Sequence, residues 1–442
     1  MSSHDSIEKT IKFKGGVHPK EGKELAEKSP ITAAPLLDNY KVVVHQNIGA
    51  PPKLLVKKGD EVKKGQIIAE AGGFVSVPLH SPTSGTVAAI ESIPGVMGTT
   101  VEAVSIDADG KDEWGELAEP IDWKNVDAAV IKKRICDCGI VGMGGAAFPS
   151  HVKLSPPPDK KIDCLILNGA ECEPYLTADH RLMLEQPEKV LEGAAILAKA
   201  VGVTNVSIGV ENNKEDAIEA LQAKAADYGV KVIPLRVKYP QGAEKQLIYA
   251  ITGRKVPAGK LPMDVGCVVQ NVGTAAAVTD AILEGKPLID RVTSVTGEPV
   301  SKPCNLLLKL GTPIEEAIKL AGGVKGDVGK VILGGPMMGF AQKSLHVTVQ
   351  KNTSGILLLS PEDVVQYKSE PCIRCGRCVS SCAMNLLPGT LSTLIESEKF
   401  ELAGKYNVMD CLECGSCAYV CPSHRPLIQH FRRAKAELRK KK

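Results

Sequence analysis

The sequence predicts a multidomain α/β + β chain. A small N-terminal β domain precedes a Rossmann-like α/β domain, a compact module of strands with one helix, and a helical, cysteine-rich C-terminal domain. Three observations carry this. Short β-branched runs broken by Gly and Pro turns fill Val42 to Val104, apolar strand-like runs alternate with helix-like segments between about Ile131 and Asp264, and eight of the fourteen cysteines repeat one spacing near the C-terminus. At roughly 150 residues per domain, 442 residues allow about three domains. The working boundaries are an N-terminal arm (1–40), the β domain (41–108), the α/β domain (109–275), the strand-helix module (276–350), the cysteine domain (360–430) and a basic tail (431–442).

Composition excludes several functions. Aromatics at 4% give no stacking platform for single-stranded nucleic acid, and a net charge of +3 implies no polyanion partner. The cysteines fit metal ligation in a reducing compartment better than a secreted disulfide framework. Met1 to Lys14 is polar and mixed in charge, unlike a signal peptide. No run of 18 or more apolar residues is present, so nothing in the chain is expected to span a membrane. A soluble or peripherally attached protein is the expectation.

In the β domain the expected strands lie at Lys41–His45, Ile67–Ala69 and Thr86–Ile90. In the α/β domain the strand-like runs are Asp163–Leu167, Val206–Val210 and Val230–Leu235, and the helix-like ones Pro187–Val201 and Lys214–Asp227. Such alternation implies a largely parallel sheet with ligands at its strand C-termini. The loop GIVGMGGAAFPSHVK (Gly139 to Lys153) is suggestive there. Gly142, Gly144 and Gly145 leave backbone N–H groups free to approach a phosphate, with a helix N-terminus behind them; alone, such a loop is more often just a turn. Further on, Thr293 to Gly323 reads as strand, turn, strand and a helix opening at Thr312-Pro313, a suitable N-cap and first helical position. Met337 and Met338, in VILGGPMMGFA, read as core filler. LSTLIESEKFELAGKY, between the cysteine runs, reads as helical.

Cys372, Cys375, Cys378 and Cys382 form C-x-x-C-x-x-C-x-x-x-C, and Cys411, Cys414, Cys417 and Cys421 repeat it, ending in Cys421-Pro422. Two-residue gaps let three thiolates converge from one tight turn on a cubane iron–sulfur cluster. The fourth cysteine of each run usually reaches the other cluster. The spacing therefore predicts one 4Fe–4S centre on Cys372, Cys375, Cys378 and Cys421, and another on Cys411, Cys414, Cys417 and Cys382. Zinc sites or disulfides are the alternatives. The remaining cysteines, Cys136, Cys138, Cys164, Cys172, Cys267 and Cys304, read as packing residues. From Arg432 to Lys442 seven basic residues face one acid, Glu437. Such a tail lies on anionic lipid or an acidic partner, or is simply a solvated helix end favoured by the macrodipole.

Several segments resemble known families. Val56 to Ala71 with Ser81 to Val87 resembles the lipoyl/biotinyl barrel-sandwich hybrid. That family's modifiable lysine is replaced here by Gly72-Gly73-Phe74, so a swinging prosthetic arm is not expected and a docking or shielding role is. GMGGAAFPSHVK, NGAECEP (Asn168 to Pro174) and QNVGT (Gln270 to Thr274) resemble, in order, the flavin-binding segments of the NADH-binding flavoprotein subunit of respiratory complex I. The resemblance implies an FMN site of Gly142, Gly144, Gly145, Lys153, Asn168, Glu171, Glu173, Asn271 and Thr274. It also implies NAD contacts at Phe148, Tyr239 and Glu244. There the family has a Gly-Glu-Glu element, whereas Gly242-Ala243-Glu244 keeps only one acid. Chemically, Lys153 supplies a point charge for a phosphate, and both asparagines supply donors and acceptors; Glu171 and Glu173 otherwise read as solvated loop residues. Arg291 to Val349 resembles the soluble-ligand-binding β-grasp (SLBB) domain.

Taken whole, the chain resembles the C subunit family of the Rnf complex, a membrane-bound, ion-translocating ferredoxin:NAD oxidoreductase. The resemblance runs from FKGGVHPK (Phe13 to Lys20) to CLECGSCAYVCPSHRPL (Cys411 to Leu427). It implies FMN, NAD(H) and two 4Fe–4S clusters as cofactors. It also implies cluster-bearing and integral-membrane partner subunits, ferredoxin as the ultimate partner, and a peripheral place on the cytoplasmic face of the cell membrane. Flavin joins two-electron hydride transfer to one-electron clusters, so no catalytic side chain is expected. The rival readings are a diaphorase subunit of a soluble hydrogenase or formate dehydrogenase, and a cluster-only electron-transfer protein with a vestigial nucleotide site.

Overall fold

The computed structural model describes residues 11–364 and 368–440; the start of the predicted N-terminal arm and the last two residues of the basic tail fall outside them. At the centre is a four-stranded parallel sheet ordered Val230–Leu235, Val206–Glu211, Cys164–Gly169, Cys267–Asn271. Its strands read as continuous apolar runs because both faces are covered. Leu165 and Leu167 pack under the helices Ala128–Asp137, Pro187–Val201, Glu215–Ala225 and Val272–Leu283. Cys164 and Ile166, on the opposite face, pack against Leu247 and Ile248 of the helix Glu244–Thr252. Pro187 opens its helix and Gly202, in the left-handed conformation, ends it. The helix Val272–Leu283 runs across the expected boundary at 275 and packs with the α/β domain.

The N-terminal β domain is two facing antiparallel sheets, Asn39–Val43 with Thr100–Ala108, Gly85–Pro94 and Glu61–Val62, and Lys53–Leu54 with Ile67–Glu70 and Leu79–His80. Tyr40, Val42, Ile68, Leu79, Val104 and Ile106 fill the space between them. The third sheet has six strands, ordered Ile31–Ala33, Cys304–Lys309, Asp290–Thr296, Gly355–Leu359, Lys330–Leu333, Phe340–Ala341, with the helix Ile314–Leu320 against it.

Two of its strands lie outside the expected span of 276–350. Ile31–Ala33 comes from the N-terminal segment and pairs in parallel with Asn305–Leu307, and Gly355–Leu359 follows the module. The segment before Ile31 threads through the molecule too. Val17 bridges Tyr239, and Gly16 N–H donates to Ser381 O. A free N-terminal arm is thus not what residues 11–40 form.

The cysteine domain is helical: Arg377–Ser381, Pro388–Glu396, Phe400–Lys405, Ser416–Tyr419 and Leu427–Lys440 surround Leu386, Leu391, Ile395, Val408 and Phe431. The last helix buries Phe431 and Ala434, while Arg432 and Lys435 pair with Glu413 and Arg433 with Glu398. Much of the basic tail therefore pairs with acids of its own domain.

Candidate functional site

The glycine loop lies at the C-terminal end of the parallel sheet. Gly142 N–H donates to Phe148 O at 2.8 Å, closing an arch whose tip, Gly144 to Ala146, is exposed. Three of its carbonyls are tied from behind by other parts of the chain. Met143 O accepts from Arg291 Nη1 (2.8 Å), Gly145 O from Asn352 Nδ2 (3.0 Å) and Ala147 O from Ile48 N (3.3 Å). In a trans peptide the N–H points opposite to its C=O, so the N–H groups of Gly144, Ala146 and Phe148 face away from these supports. A Cβ on Gly144 would come within 3.0 Å of the Asn271 amide. Thr274 is fully buried; it accepts from Met143 N and donates to Val141 O, so it supports the loop from beneath.

Lys351 holds the start of the loop through Gly139 O (2.7 Å) and the β domain through Pro78 O (3.1 Å). Its ammonium is pushed down to about 7 by burial. Arg291 is likewise buried and lowered to about 10.

The NGAECEP turn is held by two buried lysines. Lys23 Nζ donates to Glu171 O (2.9 Å), Glu173 O (3.0 Å) and Leu176 O (2.6 Å), and Lys214 Nζ to Ala170 O (2.8 Å). Asn168 donates to Gly242 O and accepts from Ala170 N, locking the turn onto the segment that leads into the helix Glu244–Thr252. Cys172 Sγ accepts from Gly242 N at 3.2 Å, a packing contact with a weak acceptor.

The carboxylates of that turn are not solvated loop residues. Glu171 accepts from Asp179 N (2.7 Å) and His180 N (3.1 Å), capping the helix Ala178–Glu185 from outside, where negative charge meets the helix dipole. Glu173 accepts from Met337 N (3.1 Å), Met338 N (2.9 Å) and Tyr239 Oη (3.4 Å). Burial pushes its carboxyl up to about 7 against the pull of those donors. Gly335 is required beside it, since a Cβ there would lie 2.2 Å from Glu173 Oε2. The backbone N–H groups of Met337 and Met338 thus join this site to the β-grasp sheet, and the Met338 side chain is exposed, not core filler.

Asn271 caps the helix Val272–Leu283 and donates to Asp179 Oδ2 at 2.7 Å. Asp179 is raised to about 6 by burial and by Glu171. Lys153 Nζ donates to Glu244 Oε1 (2.9 Å) and Val269 O (3.2 Å), with both charged side chains partly exposed. The expected phosphate lysine and the expected NAD-contacting acid therefore sit side by side. Gln270, 2% exposed, has no protein partner for either its amide oxygen or its nitrogen. It leaves a donor and an acceptor in the segment where flavin contacts are expected.

The cysteines assemble across the two runs. Cys382, Cys411, Cys414 and Cys417 line one cavity, walled by Ala383, Leu386, Pro388, Leu412, Ile428 and Phe431. In the other quartet, Cys372 Sγ and Cys378 Sγ lie 3.9 and 3.7 Å from where a Gly389 Cβ would stand, and Cys421 and Cys375 are close enough to raise Cys378 electrostatically, after burial. The sulfurs of Cys382, Cys411, Cys414 and Cys417 thus border one space. Among the described residues no His, Cys, Asp or Glu group converges tightly enough for a single ion.

The first cavity adjoins the loop site. Gln246, on the helix that begins at Glu244, donates to Ala383 O at 3.1 Å. A Cβ on Gly15 would lie 2.6 Å from Cys382 O, and one on Gly415 would lie 2.9 Å from Met337 O. Tyr239, raised mainly by burial, also feels Cys414. The second quartet lies outward, with Cys372 and Cys375 exposed.

Lys23, Lys214, Arg291, Asn352 and Asp179 carried no local signal in the sequence. Lys23's partners, for example, lie 148 to 153 residues away.

Known families match each of the four domains. The RnfC barrel sandwich hybrid domain profile matches residues 11–111, the Nuo51 FMN-binding domain 135–280, the SLBB domain 292–341 and the 4Fe-4S dicluster domain 371–424. The chain is 49% identical to the C subunit of the proton-translocating ferredoxin:NAD(+) oxidoreductase complex of Clostridium ljungdahlii, over 97% of this chain and 94% of that protein. It is 46% identical to the Na(+)-translocating counterpart of Acetobacterium woodii, over 96% and 97%. The C subunit of the ion-translocating oxidoreductase complex of Rhodobacter capsulatus is 41% identical, over 97% and 83%. Among solved structures, an NAD+-reducing [NiFe]-hydrogenase shares the fold with a TM-score of 0.51 at 18% identity, over 72% of this chain and 62% of that one. With three near-full-length relatives above 40% identity, the chain belongs to the C subunit family of ion-translocating ferredoxin:NAD(+) oxidoreductase complexes.

Proposed function

We propose that this chain is the peripheral, NAD(H)-exchanging subunit of such a complex, placed on the cytoplasmic face of the membrane, with cluster-bearing and integral-membrane subunits as partners. No helix among the described residues is long and apolar enough to cross a membrane. When bound, FMN supplies conversion between a hydride and single electrons, and the two 4Fe–4S clusters carry the electrons singly.

The protein's contribution is binding and placement. The inward N–H groups of Gly144 and Ala146 with Lys153 would receive the FMN phosphate, held in place by Arg291 and Asn352 from behind the arch. Asn168 and Asn271, braced by Gly242 and Asp179, would edge the flavin. Glu171 and Thr274 act indirectly, by capping a helix and propping the loop. Phe148, Tyr239 and Glu244 would line the nicotinamide side. The four thiols of Cys382, Cys411, Cys414 and Cys417 would hold the cluster nearer the flavin, and Cys372, Cys375, Cys378 and Cys421 the outer one.

One observation carries this reading. The Glu173–Tyr239–Met337 cluster touches both the NGAECEP turn and the Cys414-Gly415 loop, so a flavin held at that turn and an inner cluster would share one wall.

The test is anaerobic titration of the reconstituted chain with NADH, following flavin absorbance and cluster electron paramagnetic resonance together. Bleached flavin followed by cluster signals is expected. Clusters reducible by dithionite yet silent to NADH would instead support cluster-only electron transfer.

A further inference from the structure

Two carboxylates meet beside the glycine arch. Glu171 accepts from the backbone N–H of Asp179, which sets its charge beside the Asp179 side chain. With a second donor in His180 N, at the start of a helix, Glu171 suits the ionised form. Asp179 has one donor, the Asn271 amide on Oδ2 at 2.7 Å. Its other oxygen, Oδ1, accepts no hydrogen bond among the described residues. A Cβ on Gly273 would lie 3.7 Å from that oxygen and 3.7 Å from Met143 Cε. Asp179 Oδ1 is therefore placed where the arch meets the start of the helix Val272–Leu283. Asp179 is partly exposed there, although Ala178 and His180 on either side are buried.

The cations around Asp179 are committed elsewhere. Arg291 faces it but gives Nη1 to Met143 O and Lys351 O. Lys214 gives its ammonium to Ala170 O and Asn213 Oδ1. His180 turns its ring to Asp216 at 2.7 Å. Two acids placed together in this way do not ionise alike, and the one with fewer donors holds its proton longer. Asp179 accordingly sits at about 6, raised by burial and then by Glu171.

We infer that Asp179 takes up a proton from solvent when the bound flavin is reduced, and releases it when the electrons leave. The inference rests on the flavin site proposed above. A hydride carries two electrons and one proton, so its transfer from NADH leaves NAD+ and a reduced flavin with one added negative charge. That charge, developed in the same cleft, favours the neutral carboxyl, and the Asp179 carboxylate combines with one H+ from solvent. When the two electrons pass on singly, the hydride's proton and the Asp179 proton both return to solvent. The sum is NADH giving NAD+, two electrons and one H+. Below about 6 Asp179 is already neutral, so the extra uptake appears only above that pH.

The experiment uses the full chain with FMN and both clusters reconstituted, reduced electrochemically without NADH, at pH values on both sides of 6. Infrared difference spectra report the C=O band of a protonated carboxyl, and an indicator dye reports protons taken from the medium. Above pH 6, reduction of wild type should raise a carboxyl band and take up about one proton per flavin more than Asp179→Asn does. The variant keeps an acceptor for Asn271 and should lack the band; Asp179→Glu should restore it. In wild type labelled with 13C-aspartate the band should shift to lower wavenumber, a readout that holds even where the variant does not fold.

FMN affinity and melting temperature of each variant are compared first. Reduced flavin with no carboxyl band, a band that ignores the label, or equal proton uptake in a folded Asp179→Asn chain overturns the inference alone. A wild-type chain that binds no FMN refutes the flavin reading, and the inference falls with it.

Discussion

Lys23 offers the sharpest test of how the proposed flavin site is built. Its side chain is buried, the residue only 5% exposed, and its ammonium gives all three protons to carbonyls of the turn that carries Glu171 and Glu173. Lys23→Met keeps the length of the side chain and removes the donor. Each carbonyl left buried without a partner costs about 1–3 kcal/mol, and hydrogen bonds from a charged donor stand at the upper end. Relief of a buried charge offsets part of this, because taking an ammonium out of water costs several kcal/mol. A net loss of about 2 kcal/mol is expected.

That loss has two readouts. If the turn must be re-ordered before FMN binds, about 1.4 kcal/mol of the loss appears as a roughly tenfold weaker Kd. The melting temperature of the flavin-free chain should also fall, by about 2–4 °C per kcal/mol for a domain of this size. FMN fluorescence quenching gives the first quantity and calorimetry the second. A melting point that drops while the FMN Kd stays at the wild-type value would refute the reasoning, since Lys23 would then serve the fold without shaping the turn that flavin reads.

Further outcomes follow from other contacts. Gly335→Ala places a methyl 2.2 Å from Glu173 Oε2; overpacking of this kind costs about 1–3 kcal/mol, seen as a lower melting point. Glu173 should make stability pH-dependent. Its carboxyl is raised from an ordinary 4.5 to about 7, so the folded chain holds that proton more tightly than the unfolded one. Its contribution is therefore greatest below about 4.5, declines as pH rises to about 7 and is level above that. Glu173→Gln should flatten this part of the profile in denaturant titrations. Cys421→Ser should damage the outer cluster, with Cys372, Cys375 and Cys378, and spare the inner one, while Cys382→Ser should do the reverse. Loss of the cluster belonging to its own run would break the crossed arrangement.

Much of the architecture was legible because it rests on local chemistry. Three thiolates at two-residue gaps, a Gly-rich arch before a short helix, and continuous apolar runs for a sheet covered on both faces are all written within a few residues of themselves. The crossing of the cysteine runs is expected from the habit of two-cluster runs, and Cys382 does line one cavity with Cys411, Cys414 and Cys417. The carboxylate roles were less so. Glu171 looks like a loop acid until the helix that starts at Ala178 turns its N–H groups toward it, and Glu173 finds its partners, Met337 and Met338, 164 and 165 residues further on.

The sequence by itself thus determined the modules, their order and the ligand-bearing residue types, because propensity and spacing act within one element. Tertiary structure alone decided how they share walls. It drew Ile31–Ala33 into the β-grasp sheet, placed buried Lys23, Lys214 and Lys351 under carbonyls from distant segments, and set one cysteine quartet near the NGAECEP turn and the other at the surface. The reason is physical. A buried ammonium or an untied carbonyl must be satisfied wherever the chain brings a partner, and that partner's address is set by packing, not by distance along the sequence.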